Sequence, residues 1–279
     1  MDDESFRKIL QFFSLSWPGY RKVRKAVKKR LARHMLDCGC RKVGDYLLLL
    51  QEDPEATKKT RNLLTVSISR FFRDRRLWEV MGDCLIPKLL REVDGNCQRP
   101  LRVWSAGCSC GEEVYSLRIL WDQVRKRSSA MPPLEVWATD ANQGVLDRAR
   151  MGAYPRSSVK GLPSLLLQEY FVPNSKGFII SDALKDGIHW MKHDFITELP
   201  PGITFDLIFL RNNLLTYYGQ TLKAAVFPRI LEALRPGGFL IIGGSEQIPG
   251  EQVPLRCCPK CECIFEKGFR PETDGTCNV

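Results

Sequence analysis

The sequence lacks any run of about 18 uncharged apolar residues, the minimum for a membrane-spanning helix, so no membrane insertion is expected. Its first residues, MDDESFRKIL, have neither the basic segment nor the apolar stretch of a secretory signal, and the expected compartment is the cytoplasm. Internal repeats and low-complexity tracts are absent. Histidine is scarce, at three in 279 residues, and His34, His189 and His193 are too scattered to suggest a His-centred catalytic triad. The remaining composition, 44% hydrophobic and 27% charged, is that of a globular protein and excludes disorder as the main state.

Charge is present in excess, but only locally. Residues 1–76 hold 19 Lys/Arg against 9 Asp/Glu, so the whole net charge of +10 resides in the N-terminal quarter. A basic head on a neutral body suggests two modules, with the head attracting an acidic partner. Eleven cysteines without a secretory signal are read as free thiols, most of them small buried apolar residues. The string RCCPKCECIF contains a CxxC spacing suited to zinc, but a four-ligand site needs a second, separated pair. The alternation Cys261, Cys263, Phe265 reads better as one face of a strand, and no metal is expected.

Residues 1–92 read as a helical module. Tyr20 to Leu36 places Val23, Ala26, Val27, Leu31 and Met35 at helical spacing, with a basic surface from Arg21 to Arg33 around them. Further helices are expected at 43–51, 54–64 and 76–90. From residue 93 the texture becomes alternating strands and helices: strands at 101–107, 134–140, 205–212 and 237–244, helices at 112–127, 143–151 and 220–234. The fold class is therefore α/β, with an N-terminal helical domain followed by a doubly wound, Rossmann-like domain over 93–279. Short apolar runs at 172–193 suggest a small antiparallel β insertion.

Chemistry is expected at the strand ends. The first strand leads through Ser105-Ala-Gly107-Cys-Ser-Cys-Gly111 into a helix beginning at Glu112 and Glu113. Small residues let the backbone approach a ligand, and a helix start offers N–H groups to an anion. The loop is neither G-x-G-x-x-G nor a P-loop. The second strand ends in Asp140, where such folds grip ribose hydroxyls, although a structural cap is the plainer alternative. Together these features suggest an adenosine-containing cofactor and leave NAD and S-adenosylmethionine both open.

Several separated strings occur in order: SISRFFRD (67–74), VWSAGCSCGEEVYSL (103–117), ATDANQGVLDRARMGAY (138–154), HDF (193–195), FDLIFLRNNLLTYY (205–218) and LRPGGFLIIGGSE (234–246). In these the chain resembles the CheR-type chemoreceptor (protein-glutamate) methyltransferases over nearly its whole length. The resemblance implies S-adenosyl-L-methionine as cofactor and a methyltransferase domain carrying a small β-subdomain. It also implies an N-terminal domain whose positive face recognises the acidic, helical methylation region of a chemoreceptor cytoplasmic domain.

The resemblance also carries roles by position. Arg73 matches an arginine beside the cofactor and the reacting methyl, while Ser67 and Ser69 stand where the family more often has Asn and Thr. Gly107 belongs to the cofactor loop. Glu113 matches a residue at the methionine end, Asp140 the ribose acid, and Asp194 and Phe195 the adenine positions. Arg211 and Asn212 match the arginine and asparagine that line the active site. The family commonly reads RNVxIYF where this chain has RNNLLTYY, which puts Thr216 at the usual tyrosine and leaves Tyr217 or Tyr218 to substitute. Arg73, Arg211 and Tyr217 are the candidate catalytic residues, the two arginines orienting carboxylates. Two other functions stay open: a cofactor-binding signalling adaptor with little or no turnover, and a methyltransferase for another acidic macromolecule such as RNA. Nucleic acid is disfavoured, since base-stacking motifs and NPPY-like strings are missing.

Overall fold

The computed structural model describes residues 1–66, 69–93, 99–127, 131–250 and 253–268. Two compact units are present: Met1–Ile68 with Asn212–Ala225, and Ser69–Arg211 with Val226–Val279. The division therefore falls near residue 68 rather than at 92. The helical stretch after Arg73 packs with the sheet, and its segment Arg75–Val80 lies against the C-terminal strand Cys261–Lys267.

In the first unit, helix α1 (Asp3–Phe12) starts on the Asp2 carboxylate, which accepts from the Ser5 amide at 2.7 Å. Helices α2 (Arg24–Asp37), α3 (Val43–Glu52) and α4 (Pro54–Leu64) bury Val27, Leu31, Tyr46, Leu50 and Leu64 against Phe6, Ile9 and Leu10 of α1. Pro54 opens α4 in its first turn, where its missing N–H costs nothing, and Asp53 caps it. The basic helix is shorter than expected: Pro18–Tyr20 forms a tight turn, so Arg21 and Lys22 precede α2 and Ala26 is exposed.

The second unit opens with α5 (Arg75–Val80), a π-helical turn (Met81–Leu85) and α6 (Ile86–Val93), a continuous helical run over the helix expected at 76–90 with the π turn in its middle. Alternation follows: β1 (Leu101–Ala106), α7 (Glu112–Arg125), β2 (Leu134–Asp140), α8 (Gln143–Met151), β3 (Ala153–Tyr154), α9 (Ser164–Tyr170), β4 (Phe171–Asn174), β5 (Gly177–Ile180), β6 (Ile188–Lys192) and β7 (Phe205–Leu210). A short helix α10 (Leu214–Tyr217) belongs to the first unit, and α11 (Gln220–Glu232) runs from the first unit into the second. Strands β8 (Leu234–Ile242), β9 (Leu255–Cys258) and β10 (Cys261–Lys267) complete the chain.

The large sheet has the order β6-β2-β1-β7-β8-β10-β9, parallel from β6 to β8 and antiparallel beyond. β7 is buried along its length, as its unbroken apolar run requires of a strand covered on both faces. Two expectations are corrected. The antiparallel insertion is a three-stranded sheet, β3-β5-β4, spanning 153–180 rather than 172–193, while Ile188–Lys192 pairs with β2 as an edge of the large sheet. The RPGG string does not precede β8 but lies inside it, at a register shift opposite Phe205 and Leu207. A Cβ on Gly238 would lie 3.0 Å from the Asp206 carbonyl oxygen, so glycine permits that close approach.

Candidate active site

Strand order reverses between β1 and β7: the chain proceeds from β1 to β2 and β6 on one side, then returns to β7 and β8 on the other. In open α/β sheets this switch point leaves a crevice beyond the carboxyl ends of the strands. The loops leaving β1, β2, β6 and β7 contribute Gly107–Gly111, Asp140, His193–Phe195 and Arg211 to that edge.

The β1 loop is held by backbone bonds from Gly107 and Cys108 to the Thr139 carbonyl, both at 2.8 Å. Gly107 (φ 81°) and Gly111 (φ 85°) supply left-handed turns, and a Cβ at Gly111 would come within 2.9 Å of Trp190. Asp140 accepts from the Ser109 amide at 3.0 Å and the Asn142 amide at 2.9 Å, so it ties the two loops together. Both the capping and the ribose readings therefore bear on one side chain, since each carboxylate oxygen keeps a further lone pair. Burial raises the Asp140 pKa, the two amide bonds oppose that, and neighbouring Asp194 adds to the rise.

Arg211 is the centre of an ion cluster. Its guanidinium is 4% exposed; Nη1 donates to Glu113 Oε2 at 2.9 Å, and Nη2 to the Asp74 carboxylate and the Arg73 carbonyl. Burial alone would lower the Arg211 pKa, but Glu113 and Asp74 raise it. The other Glu113 oxygen accepts from Ser105 Oγ at 3.0 Å. Each Nη group thus holds one of the protein's own acids. Asp74 and Ser105 were not among the candidates. The only signal for Asp74 was its place after Arg73 in RFFRD, and for Ser105 its place at the strand end.

Arg73 itself lies between two left-handed residues, Phe72 (φ 49°) and Asp74 (φ 64°), and Ser109 (φ 52°) and Asn212 (φ 52°) share that conformation. Non-glycine residues pay on the order of 1 kcal/mol or more for it. Such strain clusters at functional sites.

The other expected residues are placed as follows. Ser69 lies near the buried Glu112, whose carboxyl accepts from Ser158 Oγ at 3.1 Å and is held down by both serines against the rise that burial causes. Ser67 lies outside the described residues. Asp194 accepts from the Ile196 amide at 3.0 Å and so caps the turn after β6, while Phe195 is buried. Asn212 and Tyr217 belong to the first unit, where Tyr217 packs edge-on against Tyr20 with ring centroids 5.1 Å apart.

Ser109 Oγ, His193 Nδ1 and Arg211 Nε are buried without a partner. His193 Nε2 lies 2.8 Å from the Leu199 carbonyl and must donate to it, which leaves Nδ1 to face a ligand. Unsatisfied buried polar atoms cost about 1–3 kcal/mol each, and a ligand bringing both donors and acceptors would repair them. With the carboxylates of Glu113, Asp140 and Asp194 at the same edge, the donor set fits an amino-acid nucleoside. Such a molecule has an ammonium group, hydroxyls and an exocyclic amine to donate, and a carboxylate to accept.

Comparisons with known proteins agree. Residues 67–263 match the family described as CheR methyltransferase, SAM binding domain. A chemotaxis protein methyltransferase of Listeria innocua is 34% identical over 205 residues, covering 74% of each chain. The chemotaxis protein methyltransferase Cher2 of Pseudomonas putida is 28% identical over 242 residues, covering 84% of this chain and 86% of its own. A chemotaxis protein methyltransferase of Borreliella burgdorferi is 26% identical over 231 residues, or 81% of each chain. On the extent of these matches the chain belongs to the CheR methyltransferase family, and its second unit carries that family's S-adenosylmethionine-binding fold.

Proposed function

We propose that the chain is an S-adenosylmethionine-dependent O-methyltransferase that forms methyl esters on glutamates of a chemoreceptor or a related coiled-coil signalling protein. The observation that carries this is the Glu113–Arg211–Asp74 cluster, set beside Asp140 at the switch point of a CheR-family sheet. When bound, the cofactor supplies an electrophilic methyl group on a sulfonium.

The chain's own residues bind and orient. Glu113 would accept from the ammonium group, Asp140 from the ribose hydroxyls, and Asp194 from the adenine amine beside Phe195. Gly107 lets the backbone come close. Arg211 fixes the Glu113 carboxylate, and Arg73, held by its strained flanks, would orient the incoming acid. The roles expected of Ser67, Asn212 and Tyr217 rest on the resemblance alone. A glutamate is already ionised near neutrality, so the reaction needs alignment more than a general base. His193, committed to Leu199, is not needed as one.

Incubation with methyl-labelled cofactor and receptor cytoplasmic fragments tests the proposal. Label released by base as methanol supports it. Base-stable label would point to another acidic substrate, and no label to an adaptor. Asp140→Ala should weaken binding of S-adenosylhomocysteine by about 10- to 100-fold in calorimetry, the cost of one charge-assisted contact. Unchanged affinity would leave Asp140 as a loop cap only.

The first unit is proposed to recognise the acidic substrate. Exposed Arg24, Lys25, Lys29, Arg30 and Arg33 lie along α2, and a concave patch is lined by Asp3, Arg24, Lys25, Lys28 and Lys29. Lys28 is paired with Asp3 at 2.8 Å, so Lys25 and Lys29 are the better probes. Reversing both to Glu should raise KM for the receptor by roughly tenfold, leave cofactor affinity unaltered and flatten the salt dependence. Steady-state kinetics over a range of ionic strengths would show it, and identical KM curves would remove α2 from recognition.

A further inference from the structure

β9 and β10 form a hairpin through Pro259 and Lys260 that carries four cysteines, none used in methyl transfer. Cys261 and Cys263 are two apart on β10 and therefore share a face. Their sulfur atoms are 3.1 Å apart. A disulfide brings sulfurs to about 2.05 Å, so the pair is roughly 1 Å short of bonding distance. The β9–β10 register is irregular between Cys261 and Phe265, so regular pairing does not lock the backbone there. Cys263 is buried and Cys261 half-buried, whereas the Cys257 sulfur is directed at the Cys258 and Glu262 carbonyls. Among the described residues no three metal-binding side chains converge, so the pair is not part of such a cluster.

We propose that Cys261 and Cys263 are a redox-modification site, a dithiol that a hydroperoxide converts to an intrastrand disulfide and a small dithiol reduces back. Cys261, the more accessible sulfur, attacks the peroxide; the O–O bond breaks, giving a sulfenic acid and releasing an alcohol or water. The Cys263 sulfur then attacks the Cys261 sulfur. An S–S bond forms, the S–O bond breaks, and the Cys263 proton leaves with the hydroxyl as water. Two electrons pass from the thiol pair to the peroxide. Burial, and then the hydrogen bond to Cys261, push the Cys263 thiol up to about 12, so Cys263 is not the sulfur that meets the peroxide. Cys263 also lies within electrostatic reach of Arg211 and Asp74, so the modification is made beside the ion cluster.

The test uses the full chain, treated with hydrogen peroxide, alkylated and digested with trypsin. Cleavage after Lys260 and Lys267 isolates CECIFEK, which holds these two cysteines alone, while Cys257 and Cys258 leave on CCPK. The expected result is loss of both alkylation sites from CECIFEK with the loss of two hydrogens, both reversed by dithiothreitol. In the Cys263→Ser variant, Cys261 should be trapped by dimedone as a sulfenic acid, a species absent from the wild type. The proposal is overturned if CECIFEK stays fully alkylated after peroxide. It is equally overturned if CECIFEK is recovered joined to CCPK, or if wild-type Cys261 ends as a sulfinic or sulfonic acid.

Discussion

Arg211→Ala should lower methyl transfer by about two orders of magnitude, the largest catalytic loss expected of any single change. The guanidinium is buried and makes a charge-assisted bond to Glu113, a second to Asp74 and a weaker one to the Arg73 carbonyl. One such bond contributes about 1.5–3 kcal/mol, and each 1.4 kcal/mol in a barrier is tenfold in rate. The contributions do not add simply. Asp74 is substantially exposed, so the part of the loss that matters is the Glu113 carboxylate left half-buried without its cation. Arg211→Lys should recover only a fraction, because an ammonium cannot span two carboxylates as a planar fork does. Turnover and S-adenosylhomocysteine affinity, measured together, give the answer. Activity within about twofold of wild type would remove the cluster from the mechanism.

Asp206→Asn should have the largest effect on stability, roughly 3 kcal/mol, through a site that touches no substrate. Asp206 is 0% exposed; it accepts from Arg99 at 2.7 and 3.0 Å, from the Arg102 amide at 2.8 Å, and from Arg235. Arg99 and Arg235 keep partial access to water, so the lower end of the range for a broken buried pair applies. At about 2–4 °C per kcal/mol for a unit of this size, melting should fall by roughly 6–12 °C. Burial alone would raise the Asp206 pKa, but the bonds from Arg99, Arg102 and Arg235 prevail and hold it below 3.8. The folded carboxylate is thus the stronger acid, and its contribution is complete above the unfolded value. It is lost as pH falls through the folded one. Denaturation of wild type and variant should therefore differ at neutral pH and converge in acid below 3.8. A difference that does not shrink as the pH is lowered through the acid range would contradict the assignment.

Elements governed by local rules were legible in the sequence. α4, β2 and α8 fall on the expected residues, because a Pro54 start, an apolar run ending in Asp140 and an Asn142 cap act within a few positions. What failed depended on partners far along the chain. Ile188–Lys192 has the texture of a small antiparallel strand and becomes a parallel edge only by meeting β2. The RPGG turn is absorbed into β8 because Phe205 pairs with Leu234 before it and Leu207 with Phe239 after it, so the string becomes an irregularity within the strand. At the site, Asp140 is singled out by its strand-end position, whereas Glu113, in the first turn of α7, is singled out by the family resemblance. The Asp74–Arg211 pair joins residues 137 apart and has no local signature.

The left-handed turns on either side of Arg73 make that segment a cocked catch rather than a passive loop. Among the bonds that restrain it are those of the Phe71 amide to the Ser158 carbonyl at 3.0 Å, the Phe72 amide to Ser116 Oγ at 2.9 Å, and the Trp78 indole N–H to the Arg73 carbonyl at 2.8 Å. Ser116→Ala would cut the bond to the Phe72 amide while leaving every charged group intact. The backbone could then relax toward conformations its side chains prefer, and Arg73 would lose its aim first. Deuterium uptake at the Phe72 amide would time that release directly.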